Sequence, residues 1–129
     1  MAKRRETKTV LIIEDEADIR NFASRMLELE GYHVLQTEDG DEGLRLAREN
    51  ELSLVLLDLR LPGRDGLAVL REMKSAAELS AIPVIVFSAS AGVDIRARTL
   101  SMGAADYLIK PLSAADLKEA VARILHQKR

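Results

Sequence analysis

Six polar side chains stand immediately behind short apolar runs. Glu14, Asp15 and Glu16 follow Val10-Leu11-Ile12-Ile13, and Asp58 follows Leu54-Val55-Leu56-Leu57. Ser88 follows Val84-Ile85-Val86-Phe87, and Lys110 follows Tyr107-Leu108-Ile109. If these runs end at a common edge, Glu14, Asp15 and Asp58 converge on one small crevice. Like-charged carboxylates in close company raise one another's pKa unless something neutralises them. Lys110 offers one fixed positive charge. A divalent cation with a preference for oxygen ligands offers the rest, and Mg²⁺, with Mn²⁺ as a substitute, suits a site of one or two carboxylates, some waters and a phosphate oxygen. A carboxylate beside such a cation, a lysine and a serine hydroxyl is suited to phosphoryl transfer, in which Asp acts as a covalent nucleophile and becomes an aspartyl-phosphate. Lys110 and the metal would offset charge on the transferring group while Ser88 donates a hydrogen bond. Asp58 stands alone and is the better nucleophile; Glu14 and Asp15 come as a pair suited to holding metal.

The elements that must bring these residues together alternate in type. Val10–Ile13 is a β-branched run that fits a strand buried on both faces. Ile19, Phe22, Ala23, Met26 and Leu27 then form one apolar stripe of a helix, with Gly31 where a C-cap glycine belongs. A short strand over 33–36 precedes a helix over 41–50 with Leu44 and Ala47 inward. After the third strand, Leu54–Leu57, a helix from about Asp65 turns Val69, Leu70 and Met73 to one side. Ile82–Phe87 reads as the fourth strand, with Pro83 tolerable at its start. A helix over 91–102 with Val93, Ala97 and Leu100 inward leads to a fifth strand over 107–109. Ser113 and Asp116 make a capping-box-like start to the last helix, with its stripe at Leu117, Val121, Ile124 and Leu125. Five strands each followed by a helix predict an α/β fold, a parallel five-stranded sheet with right-handed crossovers and helices on both faces. The purest apolar runs belong in the centre and the mixed ones at the edges. That predicts the order 2-1-3-4-5, flavodoxin-like, with the ligand outside the carboxyl ends of the strands.

The 129 residues carry 47% hydrophobic and 31% charged side chains, a balance that fits one globular domain. Nineteen basic against 21 acidic residues leave a net charge of −2 and no overall pull toward nucleic acid or anionic lipid. With no cysteine, thiol catalysis and Cys-based zinc or iron–sulfur sites are excluded. No apolar run approaches the roughly 18 residues of a membrane helix and residues 1–9 lack an apolar signal core, so a cytoplasmic protein without membrane partners is expected. Residues 1–8 carry Lys3, Arg4, Arg5 and Lys8 without apolar periodicity and read as a basic flexible tail. His33 and His126 are each solitary, and neither reads as a metal ligand or a phosphorylated histidine.

Four segments resemble the receiver domain of bacterial response regulators: Val10-Leu11-Ile12-Ile13-Glu14-Asp15-Glu16, Asp58-Leu59-Arg60-Leu61-Pro62-Gly63-Arg64-Asp65-Gly66, Val84-Ile85-Val86-Phe87-Ser88-Ala89 and Gly103-Ala104-Ala105-Asp106-Tyr107-Leu108-Ile109-Lys110-Pro111. One alone is weak; all four in the family's order are very specific. The resemblance implies that residues 9–129 form a receiver domain with Asp58 as phosphoacceptor. It makes Glu14 and Asp15, with Asp58 itself, the acidic group that holds Mg²⁺, and the backbone carbonyl of Arg60 a further ligand. It implies that Ser88 and Lys110 contact the phosphoryl group, that Ser88 and Tyr107 form the switch, and that Lys110-Pro111 is a cis peptide. The Glu-Asp pair replaces a commoner Asp-Asp. Arg60 and Ser90 fall at positions that tune acyl-phosphate hydrolysis. The implied partners are a sensor histidine kinase or histidine phosphotransfer protein as donor, and an effector protein on the face of helix 4, strand 5 and helix 5, with no direct nucleic-acid contact.

Each residue alone has a plainer reading. Asp18 and Glu16 suit an exposed helix start, where acids are favoured; Ser88 suits a turn, Lys110 a surface amine, and Tyr107 an edge strand. Their coincidence at strand ends favours a phosphoacceptor switch, which catalyses its own phosphorylation and slow dephosphorylation but is no classical enzyme. A phosphohydrolase with an aspartate nucleophile needs two carboxylates two residues apart just after strand 1, which the run Asp15-Glu16-Ala17-Asp18 does not fit. A flavin site would need a Gly/Ser/Thr loop there, and no phosphate-binding glycine fingerprint occurs. The remaining alternative is a degenerate receiver binding proteins without phosphate, which would have lost part of the acceptor, metal or lysine set.

Overall fold

The computed structural model describes residues 7–61, 65–89 and 92–126. Most of the expected basic tail, Pro62, Gly63, Arg64 and Ser90, which is expected to tune hydrolysis, lie outside the described residues.

The chain runs β1 (Thr9–Ile13), α1 (Ala17–Leu29), β2 (His33–Thr37), α2 (Gly40–Glu49), β3 (Leu54–Asp58), α3 (Gly66–Ser75), β4 (Val84–Ser88), α4 (Val93–Ser101), β5 (Asp106–Ile109) and α5 (Ala114–Leu125). The strands form one parallel sheet in the order β2-β1-β3-β4-β5. β1, β3 and β4 are almost wholly buried and central, whereas β2 and β5 are only partly buried and lie at the edges. Alternate side chains along a strand point to opposite faces. Val10, Ile12, Leu54, Leu56, Ile85 and Phe87 accordingly pack with Ala23 and Leu27 of α1 and Leu117 and Val121 of α5. Leu11, Ile13, Val55, Leu57, Val84 and Val86 pack on the other face with Leu44 of α2, Val69, Leu70 and Met73 of α3, and Tyr107.

The helix starts follow their side chains. Asp39, Asp65 and Ser113 each accept a hydrogen bond from a first-turn N–H, capping α2, α3 and α5 as such residues do. Gly31 and Gly103 take positive φ behind α1 and α4.

Three expectations need correction. β4 begins at Val84, with Ile82 and Pro83 before it; the Pro83 carbonyl still accepts from Val55 N–H at 3.0 Å. α4 turns Ile95, Thr99 and Leu100 inward, whereas Val93 is 79% exposed and Ala97 lies on the exposed side. Thr99 is buried because its hydroxyl donates to the Ile95 carbonyl at 2.6 Å, so the helix itself satisfies its polar atom. His126 is not solitary: its Nε2 and Tyr32 Oη share a 3.1 Å hydrogen bond that ties the end of α5 to the α1–β2 turn.

Candidate functional site

The carboxyl ends of β1, β3 and β5 carry the acids and the amine. Glu14 continues β1, its N–H donating to the Thr37 carbonyl at 3.0 Å, and its side chain is fully buried. Asp58, 1% exposed, is the last residue of β3 and lies in register with Phe87 of β4. The carboxylates of Glu14, Asp15 and Asp58 offer oxygens all within 4.8 Å of one another. Lys110, directly after β5, sends Nζ to 3.1 Å from Asp58 Oδ2, 3.1 Å from Glu14 Oε1 and 3.6 Å from Glu16 Oε1. Its backbone N–H donates to the Ser88 carbonyl at 2.8 Å, and its ammonium lies 5.4 Å from the centre of the Phe87 ring, a cation–π contact. The expected cis peptide at Lys110-Pro111 is present.

The electrostatics follow from burial. Desolvation pushes the Glu14 carboxyl up to about 7, with the Asp58 charge adding to the effect; the Glu16 N–H and Lys110 oppose it. Burial works against the charge on Lys110, but its close pairing with Glu14 and Asp58 outweighs it and raises its pKa. Glu14 Oε2 accepts from Glu16 N–H at 2.9 Å. Glu14 Oε1 lies close to the Lys110 ammonium but has no aligned donor, which makes it a buried oxygen with a lone pair to spare. A buried acceptor in that condition is costly unless a cation or water meets it.

Asp58 is held at both oxygens, Oδ1 by Arg60 N–H at 3.1 Å and Oδ2 by Lys110. Beyond them opens a cleft of about 300 Å³ lined by Asp15, Glu16, Asp58, Arg60, Ala89 and Lys110. The donor set is all oxygen and carries three formal negative charges against one ammonium, so it fits a hard divalent cation of the Mg²⁺ type. Among the described residues this is the group of His, Cys, Asp or Glu side chains placed to hold a metal. His33 is exposed at the opposite end of β2 and takes no part.

Of the residues singled out in the sequence, Asp15, Asp58, Arg60 and Lys110 line the cleft, and the buried Glu14 adjoins it beside Asp15, Asp58 and Lys110. Ser88 is buried at the end of β4 rather than lining the cleft, and Tyr107, 3% exposed, already packs in the core. Arg96 of α4 donates to the Tyr107 carbonyl at 3.3 Å. Glu16 is exposed at the N-cap of α1, as its plainer reading has it, and also lies 3.6 Å from the Lys110 ammonium. Three supporting residues went unread. Phe87 lies under the Lys110 ammonium. Arg20 reaches back to the Glu14 carbonyl at 2.7 Å. Gly66 lets α3 start against the end of β3: a Cβ there would sit 2.5 Å from the Asp58 carbonyl oxygen and 2.6 Å from Leu59 Cα. Gly66 carried a legible signal, a glycine opening a helix eight residues after Asp58.

Residues 10–122 match the family model described as response regulator receiver domain. The transcriptional regulatory protein HprR of Escherichia coli is 37% identical over 118 residues, covering 92% of this chain and 52% of that protein. This chain spans about half the length of the curated relatives it matches. Among solved structures, a CheY-like response regulator receiver domain protein from Methanospirillum hungatei is similar with a TM-score of 0.87 at 27% identity, covering 95% of this chain and 96% of that one. The receiver domain of the sensor histidine kinase PA1611 from Pseudomonas aeruginosa, solved with a magnesium ion coordinated in its active-site cleft, has a TM-score of 0.85 at 30% identity, covering 95% of this chain and all of that one.

Proposed function

The chain belongs to the response regulator receiver domain family of two-component signalling, and from that premise we propose that it accepts a phosphoryl group onto Asp58 from a phosphohistidine of a sensor kinase or phosphotransfer protein. The observation that carries this reading is the Lys110 ammonium 3.1 Å from Asp58 Oδ2 within a cluster of three carboxylates.

Glu14, Asp15 and Asp58 would hold Mg²⁺, together with the backbone carbonyl of Arg60; a magnesium ion is coordinated in the cleft of the similar PA1611 receiver. The ion, when bound, supplies positive charge beside the oxygens of the transferring group. An Asp58 carboxylate oxygen forms the new P–O bond as the donor P–N bond breaks, the electron pair leaving with the imidazole nitrogen. Lys110 loses a carboxylate partner as Asp58 becomes an acyl phosphate and gains a phosphoryl oxygen in its place. Ser88, at the adjoining strand end, donates its hydroxyl to the same group. Arg60 and Ser90 tune how long the acyl phosphate survives.

A groove beside the cleft is lined by Asp18, Ile19, Phe22, Pro111 and Leu112. Output is assigned to the α4–β5–α5 face. Arg96 ties α4 to β5, Arg123 of α5 pairs with Asp106 of β5, and Val93 and Ile109 remain 79% and 45% exposed for a partner protein. Movement of Ser88 toward the phosphoryl group, with Tyr107 following, would remodel that face. The phosphoryl group must then interact better with one arrangement than with the other. The acceptor, lysine and acidic set is complete, which argues against a phosphate-independent module.

Incubation with acetyl phosphate and Mg²⁺ followed by intact-mass measurement tests this. One added phosphoryl group is expected, lost in Asp58→Asn; an adduct that persists in the variant moves the acceptor elsewhere.

A further inference from the structure

We propose that Arg20 is a positioning residue for the two carboxylates that open the β1–α1 turn, acting through the peptide group that joins them. The inference rests on the reading of Glu14 and Asp15 as metal ligands and deepens it.

The Glu14 carbonyl lies just past the end of the β1 ladder, whose last registered residue is Ile13. A carbonyl in such a place needs a donor from elsewhere. Arg20, one turn into α1, supplies it through Nη1 at 2.7 Å, a charge-assisted bond of the stronger class. That carbonyl belongs to the peptide bond between Glu14 and Asp15. The peptide group is planar and includes both Cα atoms, so holding its oxygen restrains the unit from which both side chains depart.

The rest of the turn is tied down in a complementary way. Glu14 N–H donates to Thr37, Glu14 Oε2 accepts from Glu16 N–H, and Arg20 N–H donates to the Glu16 carbonyl at 2.9 Å. α1 has no side-chain hydrogen bond from its N-cap residue, Glu16. Arg20 is therefore bonded to the turn twice, by its backbone to Glu16 and by its guanidinium to Glu14, and touches neither the acceptor nor Lys110 in the hydrogen bonds described.

The sign of one measurement separates positioning from plain charge. Arg20 is a cation close to an acidic site, so by Coulomb's law alone its removal would tighten Mg²⁺ binding. If it orients the Glu14–Asp15 peptide, its removal weakens binding, and partners that orient ligands are worth about 10–100-fold in metal affinity. Arg20→Gln retains helix propensity but neither the charge nor the reach. Mg²⁺ titration of the full chain is expected to give a dissociation constant about tenfold higher for Arg20→Gln than for the wild type. Arg20→Lys, which keeps the cation but not the fork, is expected to fall between them. In the metal-free protein, amide exchange at Glu16 is expected to quicken in Arg20→Gln without a comparable change in the centre of β3. Equal or tighter Mg²⁺ binding by Arg20→Gln, or an unchanged Glu16 exchange rate, overturns the inference. Absence of Mg²⁺ binding by the wild type would instead overturn the functional reading on which it rests.

Discussion

Lys110 and Asp58, 52 residues apart in the chain, face each other across the end of the sheet with Nζ 3.1 Å from Oδ2. The parallel register is what makes this possible. β3 and β5 both abut β4, and Asp58 ends the first while Lys110 follows the second. The same ammonium reaches Glu14 and Glu16, so a single cation balances several acids and leaves the site with excess negative charge.

Replacing Lys110 by Met removes the cation without removing a metal ligand. Mg²⁺ is expected to bind at least as tightly, because a competing positive charge is gone. Phosphoryl uptake from acetyl phosphate at saturating Mg²⁺ is expected to slow by about 10²-fold, the scale on which loss of one charge-stabilising donor acts. Mg²⁺ titration and intact-mass time courses on the same sample check both halves.

The buried Glu14 carboxyl, raised to about 7, couples the site to pH. In the metal-free fold it holds a proton between its ordinary value of 4.5 and about 7 that the unfolded chain has released. Its contribution to stability is therefore full below pH 4.5 and is lost as pH rises to about 7. A metal ion must displace that proton, so Mg²⁺ affinity should rise between pH 6 and pH 8. Titrations across that interval should show the rise in the wild type and a flatter profile in Glu14→Gln.

Gly66→Ala tests the close approach of α3 to the end of β3. The added Cβ meets backbone at 2.5–2.7 Å, with no flexible side chain to yield. Destabilisation of about 1–3 kcal/mol is expected from forced overpacking. Urea unfolding measures it, and a midpoint equal to the wild type would contradict the contact.

Arg60 holds Asp58 through its backbone N–H and is one of the residues that line the cleft. Arg60→Met keeps the former and changes the latter. The half-life of the phosphorylated form should change more than Mg²⁺ affinity does, and superimposable dephosphorylation curves would refute that.

The sheet and most of its site were legible because both depend on local pattern. Buried β-branched and leucine runs mark β1, β3 and β4, and a parallel sheet puts the residues after them on one edge. α4 was misread because Val93, Ala97 and Leu100 fall at helical spacing. Its inward position at Thr99 is a polar residue whose hydroxyl the helix satisfies internally, and no hydropathy pattern reports that bond. Arg20, Phe87 and the His126–Tyr32 pair were illegible for a related reason. Each acts through one contact set by tertiary approach, and the residue types involved are ordinary at those places in a helix or strand. Pro83, expected near the start of β4, lies just before it and serves the sheet through its carbonyl.

The most direct test of the central claim is the site of the covalent adduct. Wild-type protein treated with acetyl phosphate and Mg²⁺, reduced with borohydride to convert an acyl phosphate to an alcohol, and digested for tandem mass spectrometry should show homoserine at position 58 and an unmodified Asp15. Reduction at Asp15 or another carboxylate, or no reduced residue at all, would contradict Asp58 as the phosphoacceptor.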